Sequence, residues 1–232
     1  MKRSILVFSI IFLVLLLDQW LKIWVKLNMA LGEHFNLLGQ SWAQIYFTEN
    51  KGMAFGMELG GSYGKVVLSL FRIMAVFFLG YYLYSLVKTQ ANKGLVVSIS
   101  LILAGAVGNI IDSLCYGLIF SESGFHTPAT FVTWGEGYES FLHGRVVDML
   151  HFPMVDTKYP EWFPFWGGQD LQFFRFIFNI ADAAISVGVA LLIIFYKRFF
   201  SQPETEKIAT ENTPTTDNLA TNTNNLENSQ TH

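Results

Sequence analysis

Four stretches of this chain are long and apolar enough to cross a lipid bilayer, and they limit its fold more than any other feature. They run over residues 4–27, 66–87, 94–119 and 172–196, and one span needs about 20 residues. Within lipid, each backbone N–H and C=O must find a partner inside the segment, so such stretches read as helices. The expected fold is an all-α membrane protein. It is a four-transmembrane-helix bundle with a small extracytoplasmic β-rich segment and a loop insert. Composition agrees: 14% of residues are charged, against roughly 25% in a soluble domain, and the mean hydropathy is +0.37.

The first stretch begins MKR and runs apolar from Ile5 to Leu17, as a secretory signal does. No small-residue cleavage site follows; "DQWLKIWVK" does, so it reads as an uncleaved anchor. Lys2 and Arg3, Lys88 and Lys93, and Lys197 and Arg198 all fall on one side if the helices alternate. That side is expected to be cytoplasmic, with both termini on it. Outer loops 28–65 and 120–171 then face away from the cytoplasm. The tail 201–232, rich in Thr, Asn, Glu and Gln, is expected to be a disordered cytoplasmic extension. The transmembrane unit covers residues 1–200.

Several function classes drop out. A net charge of -3 without a basic patch argues against a nucleic-acid partner. The single cysteine, Cys115, excludes an intramolecular disulfide and a multi-cysteine metal site. No G-x-S-x-G elbow or H-E-x-x-H pattern is present, and His143, Asp148 and His151 make only a weak metal candidate. No metal and no cofactor are expected.

What remains is a set of polar residues inside apolar helices. Counted from the basic anchors at about 1.5 Å per residue, Asp18, Arg72, Asn109, Asp112, Asn179 and Asp182 stand about 22–28 Å up. All four helices thus place polar groups in one slab beneath the outer surface. Asp18 and Lys22 are spaced i,i+4 and suit a structural ion pair; Arg72 suits pairing or reaching toward the headgroups. Asn109 with Asp112, and Asn179 with Asp182, share helix faces. "HGRVVDMLHF" (143–152) has strand-like composition and brings Asp148 ahead of the last helix. "FTENKGMAFGM" (47–57) suits an extended segment in which Asn50 hydrogen-bonds a peptide or caps a turn.

Two carboxylates that share a site split their pKa values. The ionised one can take a proton from water, and the protonated one can donate to a carbonyl. That suffices for peptide hydrolysis without a covalent intermediate. Spacing does not choose which two aspartates pair. A proton-coupled small membrane transporter also keeps aspartates in the membrane. Four helices without a repeat would give it a thin pathway. A non-enzymatic scaffold would leave Asp148 and Asp182 unexplained.

The ordered set "DQWLK" (18–22), "NKGMAFG" (50–56), "GNIID" (108–112), "GRVVDM" (144–149) and "FNIAD" (178–182) resembles signal peptidase II, the bacterial lipoprotein signal peptidase. The resemblance spans residues 5–196. It implies an intramembrane aspartyl endopeptidase of the bacterial cytoplasmic (inner) membrane. Such an enzyme cuts diacylglyceryl-modified prolipoproteins just before the lipidated cysteine. By the same resemblance Asp148 and Asp182 are catalytic. Asn50, Gly52, Asn109, Asp112, Arg145, Asn179 and Ala181 line or support the site, and Asp18 and Lys22 are structural. The expected partners are lipidated prolipoproteins and membrane lipids, with the enzyme a monomer. Two departures stand out. Ser113 follows Asp112 where the family usually has arginine, so that guanidinium is absent or comes from Arg145 or Arg72. An insert over 120–143 separates Asp112 from Asp148 and forms either a lid or a loose surface loop. The tryptophans of "PEWFPFWGG" (160–168) suit the headgroup region.

Overall fold

The computed structural model describes residues 2–50, 61–153, 155–158, 160–173 and 176–200. The chain divides into two units, residues 1–195 and 196–232. The fold below is that of the first; the second contributes the short helix α6 (Tyr196–Phe200). The 201–232 tail and Gly52 lie outside the described residues.

The order in the first unit is helix α1 (Lys2–Asn28), strands β1 (His34–Asn36) and β2 (Gln44–Asn50), helix α2 (Gly61–Lys88) and helix α3 (Lys93–Ile111). A π-helical turn (Asp112–Tyr116) and the short α4 (Gly117–Ile119) continue α3. Strands β3 (Val146–His151), β4 (Val155–Lys158), β5 (Asp170–Phe173) and β6 (Ile177–Phe178) precede helix α5 (Ile180–Ile194). The protein is therefore mostly helical, with a small antiparallel sheet. Among the described residues three helices, Lys2–Asn28, Val66–Lys88 and Lys93–Ile119, are long and apolar enough to cross a membrane.

The fourth apolar stretch departs from the helix expected over 172–196. Strands occupy Asp170–Phe173 and Ile177–Phe178, and the helix starts only at Ile180. The aromatic and β-branched run before it suits a pleated surface. His151 and Leu150 pair with Ile177 and Phe178. The Asn179 side chain then accepts from the backbone N–H of Asp182, and the Asp182 side chain accepts from that of Asn179. This capping box fixes where the helix begins.

The α3 helix is the hub, packing against α5, α1 and α2. Of its most apolar window 56% is buried, against 6% for α1 and 11% for α2, whose outward faces are left for lipid. Small residues set the α3–α5 distance, as they do where lipid offers no hydrophobic drive to association. A Cβ on Gly105 would come within 2.2 Å of the Ala181 carbonyl oxygen.

The main sheet has the order β1-β2-β3-β6, and all its pairs are antiparallel. Alternation along β3 sends Val147 and Met149 into a core with Phe47, Val25, Met29, Tyr116 and Phe120. Asp148 consequently points to the opposite face. Gly144 lets the chain pass close over the π-helical turn: a Cβ there would meet the Asp112 carbonyl oxygen at 2.1 Å. Strands β4 and β5 form a separate hairpin. Its aromatic tip leaves Trp162 79% and Phe165 91% exposed.

The 120–143 insert is tied down along its length rather than loose. Leu31 N–H donates to the Gly124 carbonyl at 2.8 Å, Ala129 N–H to that of Lys26 at 3.1 Å, and Tyr138 N–H to that of Phe120 at 3.0 Å. Phe120 bridges Phe131, and Phe120 is fully buried.

Candidate active site

At one end of the bundle α1, α3, the π-helical turn, β3 and the start of α5 bring their polar side chains into one hydrogen-bonded cluster. Asn179 is fully buried. Its Nδ2 donates to Asp148 Oδ1 at 2.7 Å, to Asn109 Oδ1 at 3.1 Å and to the Val147 carbonyl at 3.3 Å. Its Oδ1 accepts from Asp182 N–H at 2.9 Å. Asn109 Nδ2 donates to Asp182 Oδ1 at 2.8 Å. Two asparagines thus hold both carboxylates. Asn50, at the end of β2, adds a side-chain hydrogen bond to Asp148.

Beneath this layer lies an ionic one. The fully buried Lys22 ammonium is 2.9 Å from Asp18 Oδ2 and 2.9 Å from Asp112 Oδ2, and it donates to Asn109 Oδ1 at 2.9 Å. A buried cation is tolerable when paired and hydrogen-bonded in this way. Asp18 Oδ1 also accepts from Ala181 N–H at 2.8 Å, satisfying one of the free donors at the start of α5. Ala181 therefore enters the site through its backbone. Asp112 Oδ2 accepts from Val147 N–H at 3.2 Å, next to Asp148.

Burial, then the neighbouring charge of Asp182, pushes the Asp148 carboxyl up to about 7; the Asn179 and Asn50 hydrogen bonds pull the other way. It stands on the boundary between proton donor and carboxylate at neutral pH.

The arginines separate. Arg145, just before β3, pairs with Glu49 at 3.2 Å and Glu122 at 3.0 Å, and lies 5.0 Å from the Tyr138 ring centre. Arg72, on α2, instead has Asp182 and Asp148 as its strongest electrostatic partners. Ser113 turns its hydroxyl back onto the Asn109 carbonyl at 3.2 Å. The two histidines also part. His143 Nδ1 meets Ser140 Oγ at 3.0 Å, and His151 Nδ1 meets Gln44 Oε1 at 3.2 Å. Among the described residues no group of three or more His, Cys, Asp or Glu side chains could hold a metal ion.

Gln19 is a member that sequence reasoning missed. Its Nε2 bridges Asp18 Oδ2 at 3.1 Å and Asp112 Oδ1 at 3.0 Å, and its Oε1 accepts from Tyr116 OH at 3.1 Å. Lys26 was missed as well. Fully buried, it pairs with Glu49 and donates to Ser123 Oγ at 2.9 Å. A signal for it was available: Asp18, Lys22 and Lys26 follow at i,i+4 and form one polar stripe on α1.

Apolar helices that enclose ionisable residues, with a small sheet closing one end of the bundle, define a polytopic membrane protein with a buried polar site. Comparison with known proteins makes the class particular. The family model for signal peptidase (SPase) II matches residues 10–198. The lipoprotein signal peptidase of Porphyromonas gingivalis is 48% identical over 194 residues, 83% of each chain. That of Amoebophilus asiaticus is 37% identical over 88% of this chain and 83% of its own. Two solved bacterial membrane enzymes, determined by the in meso method, share the fold with TM-scores of 0.52 and 0.51. They are 24% and 22% identical, covering 82% and 85% of this chain and 91% and 92% of theirs. The chain belongs to the signal peptidase II family, and is thereby a protease. The transporter and scaffold readings are not favoured.

Proposed function

We propose that Asp148 and Asp182 are the dyad with which this protease cuts diacylglyceryl-modified prolipoproteins before the lipidated cysteine. The observation that carries this reading is Asn179, which caps the helix bearing Asp182 while its side chain holds Asp148 at 2.7 Å. Ionised Asp182 takes a proton from water as the water oxygen attacks the scissile carbonyl carbon. Protonated Asp148 donates to the carbonyl oxygen, which gains the electron pair. When the C–N bond breaks, the proton held by Asp182 passes to the leaving amine, and Asp148 recovers its own.

In this reading Asn109, Asn179 and Asn50 orient the dyad. Asp18, Lys22, Asp112 and Ala181 fix the base of the site. Arg72 rather than Arg145 supplies the positive charge beside the dyad, because Glu49 and Glu122 already occupy Arg145.

The chain spans the bacterial cytoplasmic membrane four times, with α5 as the last span and both termini cytoplasmic. Fifteen residues give α5 only about 22 Å. Its non-helical approach is tolerable at depth because Asn179 is enclosed by protein. The lipid anchor of the substrate would bring the bond to that depth. An unanchored peptide would have to carry unsatisfied backbone groups there, at several kcal/mol each. The protein acts as a monomer, without metal.

The test is purified protein in detergent micelles with lipidated and unlipidated prolipoprotein, with and without chelator. Asp148→Asn and Asp182→Asn should each lose cleavage by orders of magnitude while inserting normally. Near-normal turnover by either variant would remove that residue from the dyad. Equal cleavage of the unlipidated chain would defeat the anchor, and chelator sensitivity would defeat the aspartyl chemistry.

A further inference from the structure

The pairing of β2 with β3 slips by one residue partway along. Gln44 faces His151 and Ile45 faces Leu150, but Thr48 faces Asp148, Glu49 faces Val147 and Asn50 faces Val146. Between Ile45 and Thr48, β2 therefore holds one residue more than its partner, a β-bulge. The slip decides which side chain reaches the site. Residues directly opposite share a face, so Asn50 lies diagonally beside Asp148, while Glu49 points with Val147 to the other side. Without the bulge Phe47 would face Asp148 and Glu49 would face Val146. The carboxylate of Glu49, rather than the amide of Asn50, would then stand beside Asp148.

Glu49 is held on the far side by a cluster of charges. Lys26 pairs with its Oε1. Ser123 Oγ donates to the same oxygen at 2.7 Å, and Arg145 approaches Oε2 at 3.2 Å. The insert supplies Ser123 and also Glu122, 3.0 Å from Arg145, and its Tyr138 OH accepts from Arg145 N–H at 2.8 Å. Glu49 and Lys26 side chains are 2% and 0% exposed, so neither charge is free to leave its partner at low cost.

We propose that the Lys26–Glu49–Ser123–Arg145 cluster is a register lock, through which the 120–143 insert positions the amide of Asn50, and not the carboxylate of Glu49, against Asp148. The proposal rests on the reading of Asp148 as catalytic. Asp148 is otherwise faced by Asp182 and Asn179 from α5 and its cap, Lys22 from α1 and Arg72 from α2. Asp112 lies beneath it on the π-helical turn. A second carboxylate in place of Asn50 would remove a donor and add a like charge.

The experiment measures kcat, KM and the pH profile of kcat on lipidated prolipoprotein for the full chain in micelles, with Asp148→Asn as the dead reference. Lys26→Met frees Glu49. It should lower kcat on the order of tenfold to a hundredfold with KM nearly unchanged, and move the alkaline limb upward by about one unit. Lys26→Arg should restore both. Lys26→Met with Glu49→Gln should return the limb to its original pH, because no second carboxylate can reach Asp148. If Lys26→Met fails to fold, Ser123→Ala and Glu122→Gln take its place and should show the same limb shift in smaller degree. Loss of activity only in proportion to folded protein, with the limb unmoved, would overturn the lock, as would full activity in folded Lys26→Met. An active Asp148→Asn would instead overturn the dyad reading.

Discussion

Asn179 Nδ2 donates to Asp148 Oδ1 at 2.7 Å while Asn179 Oδ1 accepts from the Asp182 N–H at 2.9 Å. One buried side chain therefore ties a strand to the first turn of a helix and sets the two aspartates in a common frame. Asn179→Ala should cost about 1 kcal/mol as a lost helix cap. It should also move the alkaline limb of the pH profile upward, since this hydrogen bond favours ionised Asp148. Thermal melting reads the first effect and kcat against pH the second. A lost cap without a moved limb would leave Asn179 purely structural.

Asp148 must be protonated to donate to the substrate carbonyl, and its pKa is pushed up to about 7. Turnover should accordingly fall as pH rises through about 7, by roughly tenfold per unit well above it. Measuring kcat with saturating lipidated substrate from pH 5 to 9 checks this. Activity still rising at pH 9 would assign the proton donor elsewhere.

The same shift predicts an effect on stability. The folded carboxyl keeps its proton to about 7, whereas the ordinary value is 3.8. Between these two values the folded state binds more protons, so stability drops as pH rises, and above about 7 the full penalty is present. Asp148→Asn should remove it. The gain in stability over the unsubstituted chain, read by thermal melting, should grow from pH 4 to 7 and then level off, at no more than about 4 kcal/mol. A gain independent of pH would show that the carboxyl is not held protonated.

Gly105 stands against the backbone of α5, where a Cβ would come within 2.2 Å of the Ala181 carbonyl oxygen. Backbone yields less readily than a side chain, so Gly105→Ala should destabilise on the order of 1–3 kcal/mol. Because the contact is one residue from Asp182, kcat should fall as well. Melting and turnover measured together test this. Wild-type values for both would mean that α3 and α5 separate at little cost.

Trp162 and Phe165 at the tip of the β4–β5 hairpin are 79% and 91% exposed. Aromatic rings left outside the core prefer the headgroup region. Replacing Trp162, Phe165 and Trp166 together by Ser should raise KM for lipidated substrate in vesicles several-fold and leave kcat nearly unchanged. Quenching of tryptophan fluorescence by brominated lipid should fall in parallel. Unaltered quenching would place the tip in water.

Apolar length and the order of five short motifs were enough to read a helical membrane protein of the signal peptidase II family. Both depend on local composition, which the folded state does not change. The polar positions were legible for the same reason: the helical repeat fixes spacing within a helix, so Asp18 and Lys22, or Asn109 and Asp112, share a face without knowing the packing. The start of α5 was not legible in this way. The run before it is as apolar as a helix, and only the pairing of Ile177 and Phe178 with His151 and Leu150, together with the Asn179 cap, ends it in strand. Gln19 was equally hidden, because a glutamine beside an aspartate acquires its part only when α3 brings Asp112 to it, 93 residues along the chain. The role of the insert was left open as lid or loose loop, since a buried ion pair between Glu49 and Lys26 has no local signature. The sequence alone determined on which element each carboxylate stands: Asp18, Asp112 and Asp182 on apolar helical stretches and Asp148 on a strand-like one. Which of them meet, and whether Asn50 or Glu49 stands beside Asp148, was decided only by tertiary structure, because contacts between distant segments depend on strand register and on close backbone approach.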